Sequence, residues 1–143
     1  MKIKLNEKEL KNLIKKMIRE ELEPTNDGFD FDEVVEKIQQ MAEDNPDGFT
    51  IKLESNGEIT YPRNGWCVGI AETQNSFGEE GIRRVIPIAM KKTNGVIGGW
   101  LDNGKYYFDA TMIIYDKEKA IKFGKENGQI GIFHLDDGEY IEL

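Results

Sequence analysis

The sequence predicts an α+β fold, with a mainly antiparallel or mixed sheet, helices on one face of it, and two further helices at the N-terminal end. Three observations predict it. A long β-hairpin is centred on Asn103-Gly104, strand and helix patterns alternate as β-β-β-α-β-β-α-β-β from residue 48 onward, and two amphipathic helical patterns come before. We therefore divide the chain into an amphipathic helix (1–23), an acidic helix with its joint (24–47) and an α+β domain (48–143).

The first predicted helix covers about residues 7–22. Asn6 is placed to cap its N-terminus, with Glu9 completing a capping box. Apolar residues then recur at helical spacing, and Pro24 ends the pattern. A stripe of this kind, unless it packs on the body of the protein, is a candidate partner-binding surface. Its residues are Leu10, Leu13, Ile14, Met17 and Ile18.

The second predicted helix begins after Asp30, with Glu33 three residues later, and ends at Asn45-Pro46. One face is apolar and the other acidic. Residues 20–47 hold eleven acids against one lysine, a net charge of -10, whereas residues 1–19 hold seven Lys or Arg against two acids, a net charge of +5. The acidic face has two interpretations, an ordinary solvated surface or a surface that binds a partner.

The first part of the domain, residues 48–90, is predicted to form strands followed by a helix. Alternating apolar residues at 49–53 and the turn signal Asn56-Gly57 predict a hairpin, and the apolar run 66–71 predicts a central strand. Ser76 with Glu79 forms a third capping box, which predicts a helix that continues to Met90. Pro87 lies within it and predicts a kink or an early stop.

The central hairpin also predicts a register, because an Asn-Gly turn places Asp102 opposite Lys105. The further pairs are Leu101 with Tyr106, Trp100 with Tyr107, Gly99 with Phe108, Gly98 with Asp109 and Ile97 with Ala110. Side chains alternate between the two faces of a sheet. We expect one face to be buried, carrying Ile97, Leu101, Tyr106, Phe108, Ala110 and Met112.

The rest of the chain repeats the helix-then-hairpin order. Asp116 is placed to cap a helix that finishes at Asn127-Gly128. Residues 129–135 then read as a strand, and a turn at 136–138 leads into a last short strand, 139–143.

The second face of the central hairpin carries the candidate ligand-binding site. Trp100 and Tyr107 form an aromatic pair beside Asp109, and Gly98 leaves a gap opposite that carboxylate. Gln129 and His134 are the further side chains that would converge on such a site. The structural alternative is that the N-terminal helices cover this face and that Asp109 bonds a backbone amide.

The sequence lacks the common motifs of enzyme active sites. The sequence has no Walker loop, dinucleotide fingerprint, His-Glu-x-x-His or Gly-x-Ser-x-Gly. His134 is the one histidine, so an all-histidine metal site is excluded, and it has two interpretations, a general base or a structural residue facing away from its neighbours. Cys67 is the one cysteine of the sequence, so an internal disulfide is excluded. We expect its side chain to be a buried, unreactive thiol. We therefore predict no metal, no cofactor and no catalytic residue, and a protein that is more plausibly not an enzyme.

Charge and hydropathy restrict the partners. A net charge of -8 disfavours direct binding to nucleic acid. No apolar run approaches the roughly 18 residues that a membrane span requires, and the N-terminal residues lack a signal-peptide pattern. We expect a cytoplasmic protein whose partner is another protein.

Two segments resemble proteins of tailed bacteriophages. The basic amphipathic run 2–22 is similar to the N-terminal helices that target internal proteins to the capsids of contractile-tailed phages, and Ile18-Arg19-Glu20 fits the site that a prohead protease trims. Residues 65–143, with Gly98-Gly-Trp-Leu-Asp102, Lys105-Tyr-Tyr-Phe-Asp109 and Asn127-Gly-Gln-Ile-Gly-Ile-Phe133, resemble a small domain of uncharacterised phage proteins. That resemblance implies a context and no catalytic residues.

These observations lead to three functional hypotheses. The first is a small non-enzymatic phage or prophage protein in the host cell or the virion interior, where it binds a phage structural or host protein through its N-terminal helix. The second is an acidic inhibitor of host defence that imitates nucleic acid. The third is a ligand-binding or enzymatic module around the central hairpin.

Overall fold

A computed structural model of the protein describes residues 28–143. Within them lie three helices and seven strands, which follow the predicted order from residue 48 onward. No helix in this part of the chain is long and apolar enough to cross a membrane. The elements are α1 (Phe31–Asp44), β1 (Phe49–Leu53), β2 (Ile59–Thr60), β3 (Trp66–Gly69), a 3₁₀ turn (Ala71–Thr73), α2 (Gly78–Lys92), β4 (Val96–Asp102), β5 (Lys105–Ile114), α3 (Lys117–Glu126), β6 (Gly131–His134) and β7 (Tyr140–Glu142).

The seven strands form one sheet in the order β2-β1-β4-β5-β3-β6-β7, and every paired neighbour is antiparallel. The predicted α+β class is confirmed, and the sheet is antiparallel rather than mixed. The second predicted N-terminal helix is α1. The first lies outside the described residues, together with its candidate partner-binding stripe of Leu10, Leu13, Ile14, Met17 and Ile18.

The hairpin of β4 and β5 has the predicted register, from Asp102 opposite Lys105 to Ile97 opposite Ala110. Its turn residues Asn103 and Gly104 have φ values of 48° and 78°. A type I′ turn requires positive φ at both central positions, so these two residues determine the register of the whole ladder.

All three helices pack on the same face of the sheet. α1 and α2 bury their apolar residues against side chains of β1, β4 and β5, including Ile51, Ile97, Phe108 and Ala110. α3 covers a second cluster at the other end of the sheet, formed by Trp66, Val68, Ala120 and Ile132. The opposite face, which we call the open face, is not covered by any described helix. In the structural alternative both N-terminal helices cover the candidate site. The second packs on the other face instead, and the first lies outside the described residues.

Of the three helix caps predicted within residues 28–143, two are confirmed, and the predicted Asn6 cap lies outside the described residues. Asp30 accepts hydrogen bonds from the amides of Asp32 and Glu33, and Asp116 accepts one from Lys119. The predicted Ser76 cap is wrong, because α2 begins after Phe77 and has no side-chain cap. Ser76 is buried instead, and its carbonyl oxygen accepts a hydrogen bond from the amide of Phe108 on β5.

Pro87 does not end α2, which continues to Lys92. A proline inside a helix removes one backbone hydrogen bond. Ile86, directly before it, and Ala89, two residues after it, are fully buried in the core. Burial of this apolar stripe offsets the missing bond, so the predicted early stop does not occur.

Candidate functional site

The open face carries a cavity of about 600 Å³. Its floor comes from the middle strands β3, β4 and β5, and its walls come from the strand ends and loops on both sides. The lining residues are Asp47, Gly48, Phe49, Thr50, Cys67, Gly69, Gly98, Gly99, Trp100, Asp109, Thr111, Gln129, Ile130, Gly131, Ile132, Phe133, Leu135 and Tyr140.

Two glycines make room for Asp109 in the cavity floor. Gly98 lies directly opposite Asp109 on β4, and Gly69 lies opposite Thr111 on β3. A Cβ atom at Gly98 would lie 3.1 Å from Oδ1 of Asp109, and one at Gly69 would lie 3.2 Å from its Cγ. The carboxyl group therefore occupies space that any larger residue at either position would fill.

Asp109 has little hydrogen bonding for a half-buried carboxyl group. The hydroxyl of Thr111 donates to its Oδ1 at 2.5 Å. Among residues 28–143, Oδ2 accepts no hydrogen bond and the carboxylate forms no ion pair. Burial raises the pKa of Asp109 from 3.8 to about 6, against the opposing effect of the Thr111 hydrogen bond. The group is thus charged at neutral pH and takes up a proton in mild acid.

Cys67 lies in the same floor, with its Sγ 3.8 Å from Oγ1 of Thr50. Burial raises the pKa of this thiol from 9.0 to about 11, the Thr50 contact lowers it, and the negative charge of Asp109 raises it further. Because the thiolate is the reactive form, Cys67 is a poor nucleophile at neutral pH. This agrees with the inert thiol expected from the sequence.

Trp100 forms the wall on the β4 side, with 38% of its surface exposed. The ring of Tyr107 stacks on it with centroids 4.9 Å apart and planes 21° apart. Phe77 meets Tyr107 edge-on at 5.9 Å. Tyr107 does not line the cavity, so it supports Trp100 from behind rather than meeting a ligand.

The wall on the other side comes from β6, β7 and the residue that precedes them. Phe133 and Tyr140 pair across these two strands, and Ile130 follows α3. Their exposed fractions are 42%, 57% and 67%. In the strand order, Trp100 on β4 and Phe133 on β6 lie on opposite sides of β5 and β3. Aromatic side chains therefore stand on both sides of the carboxyl group.

The C-terminal end of α3 positions Gln129 beside the floor. Asn127 accepts a hydrogen bond from the amide of Ala71 through Oδ1, at 2.9 Å, which ties this helix end to the 3₁₀ turn. Gln129 donates from Nε2 to the carbonyl oxygen of Asn127 at 3.2 Å. Its Oε1 lies above Gly69, at the point where the Asp109 carboxyl group also approaches. Gln129 and Asp109 thus meet in the cavity, although they are twenty residues apart in the sequence.

His134 lies away from the cavity. Its ring stacks on Trp66 with centroids 4.2 Å apart. Nδ1 is 2.9 Å from Oδ1 of Asp137, and Nε2 is 3.3 Å from Oδ2 of Asp136. Trp66 belongs to the cluster covered by α3, so the stacked imidazole lies on the helix-covered side of the sheet. Of the five predicted ligand-binding residues, Trp100, Asp109 and Gln129 line one cavity, Tyr107 supports it, and His134 does not reach it.

A possible metal-ligand set also involves His134. Its ring, Asp137 and Glu139 offer ligand atoms that lie within 4.8 Å of one another. However, Asp137 accepts a hydrogen bond from the Glu139 amide, which together with the His134 contact lowers its pKa. The ammonium group of Lys117 lies 3.6 Å from Glu139. These contacts account for the cluster as the turn between β6 and β7.

A second cavity, of about 480 Å³, lies near the ends of β1, β4 and β5. Lys52 and Lys92 contribute to its lining, and both are paired with acids. Lys52 lies 3.9 Å from Glu54, and Lys92 pairs with Glu72. The open-face cavity differs because the carboxylate in its floor has no cationic partner among the described residues.

Comparison with protein-family models, curated proteins and solved structures finds no match for this chain. The resemblance to phage proteins therefore stays a prediction, and the site must be interpreted from its geometry.

Sequence reasoning missed the half of the cavity that comes from other strands. Cys67 and Gly69 belong to β3, which pairs with β5, and Phe133 and Tyr140 belong to the C-terminal hairpin. The alternation pattern does place Cys67 and Gly69 on one face of their strand. No local signal, however, indicates that β3 lies beside β5.

The arrangement suits binding better than catalysis. A nucleophile requires an activating base within hydrogen-bond reach. In the described part of the chain, the thiol of Cys67 is held protonated and the imidazole of His134 faces the other side of the sheet. What remains in the cavity is a carboxylate, a hydroxyl, an amide and aromatic walls.

Proposed function

We propose that this protein is a binding module that holds a small organic ligand in the cavity of the open face. The proposal rests on the position of the Asp109 carboxyl group. It lies in the cavity floor, and its Oδ2 accepts no hydrogen bond from the described residues. An apolar cavity with a few convergent polar groups is the usual form of a ligand site.

The position of Asp109 supports a functional role over a structural one. A carboxylate that serves the fold is ordinarily satisfied by backbone amides or paired with a cation. In the described part of the chain, the Asp109 carboxylate accepts a hydrogen bond from the Thr111 hydroxyl alone. The raised pKa of Asp109 means that the fold disfavours the charged form of its carboxyl group. A charge kept at the expense of stability, inside a cavity, is typical of a functional site.

The other two hypotheses receive less support from the described residues. Partner binding through the N-terminal stripe depends on residues outside that part of the chain. The nucleic-acid imitation requires free acids on α1, and two of them are paired. Arg83 lies 2.8 Å from Asp32, and Lys37 lies 3.4 Å from Glu33.

A fragment screen by two-dimensional ¹⁵N NMR tests the proposal. We expect apolar or aromatic fragments to shift the backbone amides of Cys67, Gly69 and Gly98, which report on the floor. Trp100→Ala should weaken these shifts at least fivefold. Leu101→Ala is the matched control, because Leu101 is also an exposed apolar residue of β4, with 47% exposure, and lies outside the cavity.

Two results would overturn the proposal. One is a library of several hundred fragments that leaves the floor amides unshifted. The other is a set of binding fragments that are affected equally by the Trp100 and Leu101 substitutions, since the cavity wall would then make no contribution.

A further inference from the structure

We infer that the ligand is an organic cation, with an ammonium or guanidinium group against Asp109 and an apolar or aromatic body between the cavity walls. This inference rests on the proposed function and specifies the class of ligand.

The charges around the cavity favour a cation. Its lining includes two acids, Asp47 and Asp109, and no lysine, arginine or histidine from residues 28–143. The titratable groups that face Asp109 are Cys67 from β3, Asp47 from the segment before β1 and Tyr140 from β7. None of them is positively charged in any protonation state. A cationic ligand would supply the missing counter-charge, whereas an anion would meet two carboxylates.

The hydrogen bonds of the floor favour a ligand that donates. Thr111 directs its hydroxyl proton to Oδ1 of Asp109, and Gln129 directs one N–H to Asn127. Oδ2 of Asp109 and Oε1 of Gln129 both remain as acceptors in the described part of the chain, and both oxygens lie near Gly69 or Gly98. An ammonium or guanidinium group carries several N–H donors and no acceptor, which matches this set.

The walls favour the same class. Aromatic ring faces attract cations, and tryptophan does so most strongly. Trp100 lines one side, and Phe133 and Tyr140 line the other, all three partly exposed. These side chains would also bury the apolar body of the ligand. The walls and the floor therefore select the same ligand, a cation attached to an apolar group.

Three compounds that share the indole ring and a two-carbon side chain, and differ in the terminal group, test the inference. Tryptamine is the cation, indole-3-ethanol the neutral analogue and indole-3-propionate the anion, each titrated at pH 8 while the floor amides are followed by NMR. We expect tryptamine to bind at least tenfold more tightly than the alcohol, and the acid to bind most weakly. Asp109→Asn should reduce the preference for the amine to within about twofold. Trp100→Ala should weaken the binding of both compounds, and of the amine more than the alcohol, because the amine also loses its cation–π contact.

The pH dependence of the wild-type protein gives a readout that needs no variant. Below its pKa of about 6, Asp109 is protonated and cannot pair with a cation. Lowering the pH from 8 to 5 should therefore weaken the binding of tryptamine about tenfold. The neutral alcohol should change less than twofold over the same range.

The outcomes separate the inference from the function beneath it. If the alcohol binds the floor as tightly as the amine, or if Asp109→Asn keeps the preference for the amine, the cation inference is wrong and the binding module stands. If none of the three compounds shifts the floor amides at millimolar concentration, the cation inference is also wrong. The fragment screen then decides separately whether the cavity binds other molecules.

Discussion

The hydroxyl of Thr111 donates a hydrogen bond to Oδ1 of Asp109, two residues away on the same face of β5. Thr111 is 2% exposed, so its hydroxyl has no competing partner in bulk water. This bond is the one that lowers the pKa of Asp109 against the effect of burial. The pair defines the chemistry of the cavity floor.

Asp109→Asn should stabilise the protein at neutral pH. The pKa of Asp109 is about 6 in the folded protein and 3.8 for an ordinary aspartate, the value expected in the unfolded chain. Between these pH values the folded state therefore holds a proton that the unfolded state has lost. Stability is therefore lost as the pH rises from about 4 to about 6, by about 3 kcal/mol. Asparagine has no such charge. We expect the variant to be more stable than the wild type by up to this amount at pH 8, and equal at pH 4, in urea unfolding. An equal difference at both pH values would contradict the assignment.

Thr111→Val should raise the pKa of Asp109 above 6, because the substitution removes the hydroxyl that stabilises the carboxylate and keeps the shape of the side chain. Carboxyl ¹³C chemical shifts followed against pH give the titration directly. Thr111→Ser is the matched control, since it retains the hydroxyl and should leave the titration close to that of the wild type. Identical curves for the valine and serine variants would show that the hydrogen bond has no effect on ionisation.

Gly98→Ala should damage the floor. The added Cβ would lie 2.7 Å from Oγ1 of Thr111 and 3.1 Å from Oδ1 of Asp109, both on short side chains that are bonded to each other. Overpacking of this kind costs about 1–3 kcal/mol. We expect that loss in urea unfolding, and at least tenfold weaker binding of any cavity ligand.

The control for this substitution is Gly124→Ala on α3, where the new Cβ would lie 2.5 Å from Cδ1 of Leu143. This position also adds a methyl group at a crowded site, and it lies on the helix-covered face. Ligand binding should be unchanged in it. Equal loss of binding in both variants would show that general destabilisation, not the floor, explains the effect.

Cys67 should react slowly with iodoacetamide. Its pKa is about 11, two pH units above the ordinary value of 9.0, so the thiolate fraction at pH 8 is about a hundredfold lower than in the unfolded chain. Mass spectrometry should show alkylation slower by about that factor in the native protein than in urea. A ligand in the cavity should slow it further. Alkylation at the unfolded rate would contradict the enclosed position of the thiol.

His134→Ala should destabilise the protein without affecting ligand binding. The substitution removes the stack on Trp66, at 4.2 Å, and the contacts to Asp136 and Asp137. An aromatic pair contributes about 1 kcal/mol. His134→Phe retains the stack and should lose less stability in urea unfolding. A change in the affinity of a cavity ligand in either variant would mean that the imidazole contributes to the site after all.

Local sequence determined the elements of this protein and the register of its central hairpin. Asn103-Gly104 forces the turn, and alternation then places Trp100, Asp109 and Thr111 on one face whatever surrounds them. The caps at Asp30 and Asp116 are local for the same reason, because a side-chain oxygen satisfies amides within three residues. Ser76 shows the limit of this reasoning. It has the sequence pattern of a cap, but its carbonyl oxygen accepts a hydrogen bond from the amide of Phe108 on β5. A long-range contact therefore overrides the local preference.

Tertiary structure alone decided which strands stand beside the hairpin. The sequence shows β3 and β6 as strands, but their apolar patterns do not specify their neighbours, since many pairings would bury the same residues. In the fold, β3 lies between β5 and β6. That placement brings Gly69 and Cys67 beside Asp109 and moves Phe133 and Tyr140 opposite Trp100. The cavity exists because non-local strand pairing and helix packing on the other face leave these residues together, and neither is encoded within any one segment.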